Sequence, residues 1–408
     1  MWNEAKFSLR SVLRNPRRSA FALSAILFGV IALMLSGGFI EWIFWAMREA
    51  TVYSRLGHIQ IAKRDFFTHG QGDLFSFVLP DGMPELQQVL STPRVRALAP
   101  RLEFNGLISH AETTIPFIGE GVDPSKEAIV SRLVHIENGE PLSVEDEHSV
   151  ILGHGLAENL GVSVGDRVSV LTTTGSGSIN GVEARVRGVF FTVSKQYDDA
   201  ALRMPIVLAK KLLRVSGAHT WIVILDKTED TPDVLARLRR EMPPASSAVE
   251  LKPWNELADF YNKTVALYSN QMNVLKLIIG LIIVLTVANT MMMTVLERTH
   301  EIGTMMALGN RRSKILRLFV IEGLGLGVIG GTLGVASGFL LAVLISRIGI
   351  PMPPAPGMST GFSGEIRVTF GLMLSSLLIA VGTPVIAAVY PAWKASRLNI
   401  VDALRHNR

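Results

Sequence analysis

Four stretches of this 408-residue chain are long and apolar enough to cross a bilayer, and their spacing is uneven. One run, 19–46, stands alone ahead of a long stretch of ordinary polar sequence, 47–270. The other three follow in close order at 271–296, 318–346 and 369–391. A chain so divided cannot fold as one water-soluble globule. It must place four helices in a membrane and fold the 47–270 insert outside it.

The first run is about 27 residues long, which at roughly 1.5 Å per residue gives about 40 Å, far more than a cleaved signal core of about 7–15 residues. It therefore reads as a retained anchor. Basic residues set its direction. Lys6, Arg10, Arg14, Arg17 and Arg18 precede it, and Trp42, Phe44 and Trp45 close it, as indole rings do at a membrane interface. Arg298, Arg311, Arg312, Lys314 and Arg317 lie between spans two and three, and Lys394, Arg397, Arg405 and Arg408 follow span four. Both groups, with the segment 1–18, are expected in the cytoplasm. The insert and the loop 347–368, with Pro351, Pro353, Pro354 and Pro356, are then expected outside. The formal charge of +5 follows this topology rather than forming a free basic patch, so nucleic acid is not an expected partner.

The insert reads as α+β. Strand-like runs at 57–62, 101–109, 114–119, 182–191 and 221–226 alternate with helical patterns at 83–90 and 231–241. Residues 150–174 read as a short helix, a Gly165-Asp166 turn and a strand, and 175–181 as a Ser/Gly hairpin connection. Two helix-plus-strand parts, 50–98 and 215–255, are expected to form one subdomain that holds a β-rich subdomain, 99–212. From Lys252 onward helical spacing, with no breaker after Pro253, continues into span two, so a stalk helix is expected to begin outside the membrane and enter it.

Between spans two and three lies Glu297–Gly323, "ERTHEIGTMMALGNRRSKILRLFVIEG". Ile302, Met305 and Met306 fall at i, i+3 and i+4, the apolar stripe of a short helix that Gly309-Asn310 would end. Two placements are open to it: docking its methionines in a partner's groove, or lying on the inner membrane surface. Span three carries small-xxx-small series at Gly323, Gly327, Gly331 and at Gly330, Gly334, Gly338, spacing that lets helices approach closely within one chain or between two. Glu322 and Glu41 are costly in lipid and are expected to reach an interface or to mark a pathway.

The coupling-type segment resembles that of the FtsX-like permease family, which includes MacB-type and Lol lipoprotein-releasing transporters. The family pattern R-x-x-E-I-G-x-x-x-A-L-G is met by Arg298, Glu301, Ile302, Gly303, Ala307, Leu308 and Gly309. The C-terminal "YPAWKASRLNIVDALR" is similar through Pro391, Ala392, Ala395, Ala403, Leu404 and Arg405, as are the opening "LRNPRRS" and the outer "LAENLGVSVGDRVSV". The layout is nearest that of Lol permeases.

This resemblance implies a bacterial inner-membrane permease whose cytoplasmic ATPase subunit, carrying ATP and Mg, docks at Arg298, Glu301, Ile302, Gly303, Met305, Met306, Leu308 and Gly309. It implies a second permease, identical or sister, as partner. It further implies mechanotransmission to the outer domain, with a lipoprotein or lipid cargo; FtsX-type signalling to cell-wall hydrolases and MacB-type efflux are the alternatives. No G-x-x-x-x-G-K-[ST] loop, cysteine or H-E-x-x-H spacing occurs, so no ATPase activity, metal, cofactor or catalytic residue is expected in this chain.

Overall fold

The computed structural model describes residues 16–70, 74–192, 194–242, 248–353 and 361–397, which fall into two units. The N-terminal segment to Asn15, Pro354, Pro356, and the tail with Ala403, Leu404, Arg405 and Arg408 lie outside these residues.

The first unit, residues 1–45, 264–351 and 363–408, contains the apolar helices. Among the described residues, four helices are long and apolar enough to cross a membrane: α1 (Pro16–Thr51), α7 (Asp259–Glu297), α9 (Arg312–Ile348) and α10 (Phe370–Ser396). A short helix, α8 (Thr299–Ala307), lies between α7 and α9. Ile26, Val30 and Met34 of α1 pack with Ile283, Val287 and Met291 of α7, Phe319 and Leu326 of α9, and Ala380 and Ala388 of α10. The stalk expected from Lys252 onward starts later. Ala258 leaves the helical region (φ −93°, ψ 60°), and α7 begins at Asp259 after a single turn, Trp254–Leu257, whose Trp254 is buried against Tyr261.

The second unit, residues 46–263 with 352–362, is built on one ten-stranded sheet. Its strands are β1 (Ile59–Lys63), β2 (Val95–His110), β3 (Thr113–Val122), β4 (His135–Gly139), β5 (Ser149–Gly153), β6 (Arg167–Thr173), β7 (Ile179–Phe191), β8 (Ala201–Pro205), β9 (Thr220–Leu225) and β10 (Val249–Pro253). Their order is β10-β1-β9-β2-β3-β8-β5-β7-β4, with β6 between β2 and β7. The β3–β8 and β5–β7 pairs are parallel, and the other pairs are antiparallel. Helices α2 (Pro84–Leu90), α3 (Pro124–Val130), α4 (His154–Leu160), α5 (Ile206–Leu213) and α6 (Thr231–Glu241) cover it.

Period-2 geometry makes β9 a two-faced strand. Val223 and Leu225 join Ile59, Leu98 and Leu238 on one side, while Ile222 and Ile224 join Val52, Ala97 and Trp254 on the other. A third core gathers the central strands and α4 and α5 around Phe104, Val150, Leu202 and Leu212. The division expected between residues 98 and 99 falls inside β2. The first half of β2 pairs with β9 and the second with β3 and β6, so a continuous ladder joins the two parts in one sheet.

Candidate functional site

The segment between spans two and three is built around a break. Arg298 leaves helical geometry (φ −96°, ψ 12°), separating α7 from α8. Thr299 folds its hydroxyl back onto the Val295 carbonyl, donating at 3.0 Å, which satisfies an end that the break would otherwise expose. At the far end of α8, Gly309 takes φ +86°. Its N–H donates to Met306 O at 3.0 Å, and the Asn310 N–H donates to Met305 O at 3.1 Å, a Schellman closure that favours glycine here. A chain reversal is thus written locally, and α9 starts at Arg312.

The apolar stripe of α8 is turned inward. Ile302 is only 1% exposed, and with Met306 it packs in the same core as Val295, Ile315 and Phe319; Met305 borders it and Gly303 is buried. The bundle itself covers Ile302 and Met306, while Met305 is half-buried. The outward face carries His300, Thr304, Ala307 and Leu308, the last 79% exposed, with Gly309 beside them and Glu301 half-buried.

Arg298 does more than break the helix. Its guanidinium lies 3.6 Å from the Glu322 carboxylate on α9 and 4.0 Å from Glu301. The Arg298 and Glu322 side chains are only 11% and 8% exposed. A charge this deep is tolerated when it is paired, and removing one partner strands the other. Glu322 is therefore an internal partner of the break between α7 and α8, which corrects the expectation that it reaches an interface. Glu41 is exposed on a groove of 310 Å³ that Lys276 also lines.

The two glycine series bind α9 to two different helices of its own chain. A methyl group on Gly327 would lie 2.8 Å from Ala380 O, one on Gly323 2.9 Å from Pro384 O, and one on Gly331 2.9 Å from Ala380 Cβ, all on α10. Gly330, Gly334 and Gly338 face α1 instead, where the same methyl would lie 2.9, 2.7 and 3.0 Å from Ile26, Val30 and Met34. Pro384 sharpens the first seam. It lacks the N–H that would have bonded Ala380 O, and it is against this carbonyl that Gly327 packs. Of the two readings of this spacing, packing within one chain is the one realised at these six positions.

In the outer unit, sequence reasoning missed a buried charge cluster. Glu120 on β3 accepts from Arg203 Nε (β8) at 3.0 Å, from Arg55 Nε at 3.0 Å and from Arg101 Nη1 (β2) at 3.4 Å. Glu127 on α3 accepts from Arg101 Nη2 and Arg203 Nη1 at 2.9 and 3.2 Å. Burial alone would raise the Glu120 pKa, but Arg203, Arg101 and Arg55 together hold it at about 2. Arg203 also donates to the Ser54 carbonyl at 2.9 Å, within the single π-helical turn Val52–Leu56, so the cluster fixes that turn to the sheet. Only the geometry reveals it, since these residues are scattered over about 150 positions. Among the described residues, no group of three or more His, Asp or Glu side chains could hold a metal.

Comparison with known proteins agrees with this layout. The model of the MacB-like periplasmic core domain matches residues 19–241, and that of the FtsX-like permease C-terminal domain matches residues 273–400. The uncharacterized ABC transporter permease MJ1507 of Methanocaldococcus jannaschii is 28% identical over 66% of this chain and 65% of its own length. The lipoprotein-releasing system transmembrane protein LolC of Xylella fastidiosa is 26% identical over 78% of this chain and 79% of its own. The macrolide export ATP-binding/permease protein MacB of Bdellovibrio bacteriovorus is 30% identical over 56% of this chain and 35% of its own. The crystal structure of the periplasmic region of MacB from Actinobacillus actinomycetemcomitans aligns to 52% of this chain and 95% of its own, at 11% identity and a TM-score of 0.36. With a family model matched over more than half its length, the chain belongs to the FtsX-like permeases that carry a MacB-like periplasmic core domain.

Proposed function

We propose that this chain is the permease subunit of an ABC-type machine of the inner membrane. A separate cytoplasmic ATPase, loaded with ATP and Mg, docks against α8 and works the outer domain by mechanotransmission. The observation that carries this reading is the seating of α8. Its inner face is packed into the bundle and tied by Arg298 to Glu322, while His300, Thr304, Ala307 and Leu308 are left outward. A push on that outward face moves α9 with it, because the buried pair and the Ile302–Phe319 packing resist separation. A second permease, identical or sister, completes the machine. The cargo is a lipoprotein or lipid, a choice supported by the relation to LolC over most of both chains.

The test uses the tagged full chain purified in mild detergent with its co-expressed ATPase. Leu308→Asp with Ala307→Asp is expected to abolish recovery of the ATPase, whereas Glu322→Gln is expected to retain it and to lower cargo-stimulated ATP turnover at least tenfold. If no ATPase accompanies the unaltered chain, the assignment fails. If an ATPase accompanies it together with a cell-wall hydrolase, and no lipoprotein leaves proteoliposomes on ATP addition, the extraction reading gives way to transmembrane signalling.

A further inference from the structure

A second feature of the membrane unit lies away from α8, where α1 and α9 approach the segment 365–368. That segment is fastened rather than loose. The Ile366 N–H donates to Ser346 Oγ at 2.9 Å, and the Arg367 N–H donates to Gly38 O at 2.9 Å. Between it and the two helices runs a groove of about 580 Å³, lined by Trp42 and Trp45, by Phe339, Val343 and Arg347, and by Glu365 through Val368. Ala342 at 1% exposure and Ile366 at 8% are buried at its walls, while Phe339 and Trp45 are open along it.

Chemistry divides along this groove. Phe339, Ala342, Val343 and Ile366 make one part apolar. Its rim carries the guanidiniums of Arg347, in the last turn of α9, and of Arg367, which lies over the Trp45 ring at 4.9 Å. Stacking on an indole leaves the in-plane N–H groups of a guanidinium free to meet an oxyanion. Glu365 lies on the same rim, so two guanidiniums against one carboxylate leave a net charge of +1. Indole rings at this level mark the boundary between acyl chains and headgroups.

The geometry points to a binding site for one glycerophospholipid, its phosphodiester held by Arg347 and Arg367 and one acyl chain laid along Phe339 and Val343. Charge selects the occupant. A phosphodiester carries a single negative charge that answers the net +1 of the rim and accepts bidentate bonds from a guanidinium. A diacylglycerol, or a thioether-linked diacylglyceryl anchor of a lipoprotein, offers the same chains without that anion. The site therefore holds a lipid of the surrounding bilayer, and the inference stands whether or not an ATPase docks at α8.

The experiment is lipid retention by the full chain. The protein is reconstituted in nanodiscs of phosphatidylethanolamine and phosphatidylglycerol, extracted in a mild detergent, exchanged extensively, and weighed by native mass spectrometry. The unaltered chain is expected to keep one phospholipid per copy. Arg347→Gln with Arg367→Gln is expected to keep at least tenfold less, and Arg347→Lys with Arg367→Lys an intermediate amount, at unchanged helical content and elution. Arg311→Gln with Arg312→Gln, remote from the groove, is expected to change nothing. Equal retention by the glutamine pair and the unaltered chain overturns the proposal, as does retention of a phosphate-free diacylglycerol offered at equal mole fraction. Should the glutamine pair fail to fold, that last competition on the unaltered chain decides alone.

Discussion

The two units of this molecule bury charge and close their cores by opposite means. In the outer sheet, three guanidiniums and two carboxylates are gathered where β2, β3, β8 and α3 meet, each carboxylate serving more than one arginine. In the helical bundle, Arg298 lies 3.6 Å from Glu322, and closeness comes from what is absent, the side chains of six glycines. A sheet can specify its core by alternation, because one face differs from the other. A span that is apolar all round has no such contrast, so surface shape takes over the selection of neighbours.

The sharpest way to break this comparison is to fill a seam. Gly327→Leu would drive side-chain atoms into the backbone of α10, since even a methyl group would lie 2.8 Å from Ala380 O and 2.9 Å from Val381 Cα. Loss of monodisperse protein from detergent extracts is the expected outcome. A normal yield with an unshifted thermal melt would show that the seam yields, and would remove glycine as the organising feature of the bundle.

Next in size is the outer cluster. Glu120→Gln leaves Arg55, Arg101 and Arg203 facing a neutral amide in a site where Glu120 and Arg203 are almost fully enclosed. Breaking a buried pair in this way costs about 3–5 kcal/mol. Hydrogen exchange should show accelerated opening of β3 and β8 in the full chain, with α9 unchanged. A loss below about 1 kcal/mol would mean that the cluster is solvated in practice and resembles surface pairs.

Acid should separate the units more gently. His58 is buried, and its Nδ1 accepts the Leu225 N–H at 3.1 Å; His219 is buried likewise, and its Nδ1 accepts the Glu103 N–H at 3.0 Å. That acceptance needs an unprotonated Nδ1, a tautomer inferred from these bonds. Burial pushes both imidazoles down to about 4, with Arg132 and Arg48 adding to the effect at His58. The unfolded chain therefore takes up the extra protons, and the stability from each histidine is whole above about pH 6.5 and lost as the pH falls toward 4. The shift corresponds to on the order of 3 kcal/mol per histidine. Exchange of the β1 and β9 amides, corrected for intrinsic rate, should rise between roughly pH 7 and 5 while that of α9 and α10 does not. Equal changes in both regions would refute the assignment.

How much of this was legible beforehand follows the same division. The spans, the close-packing glycines and the stop at Gly309-Asn310 are local signals and stand in the sequence. Which helix each glycine series meets does not, because small-xxx-small spacing encodes a distance without naming a partner. The period of the α8 stripe was readable, but not that Ile302 and Met306 turn toward their own bundle. In the outer unit, the helix at 231–241 and the hairpin around 175–181 were visible through periodicity and turn residues. Ser149–Gly153 and Ala201–Pro205 carry no alternating strand signal in the sequence. All five residues of each are buried, and a strand covered on both faces loses its alternation. Arg101, Glu120 and Arg203 gave no linear signal, since pairing across a sheet is fixed by register.

The smallest expected effect tests the comparison from its other side. Gly325 sits in the same glycine-rich stretch of α9, yet, its own stretch of helix aside, no described residue of the chain lies within 4 Å of where a methyl group would stand. If glycine serves in this bundle only to let helices touch, Gly325 does nothing for the isolated chain. Gly325→Ala should then raise stability by about 0.5–1 kcal/mol, the ordinary gain on removing backbone freedom from a helix interior. A thermal melt in detergent reads that gain. A loss instead, accompanied by dissociation of a larger species on size-exclusion chromatography, would place Gly325 at a seam with a second permease. The glycines of α9 would then serve three neighbours, with α1 and α10 inside the chain and the third supplied by the partner.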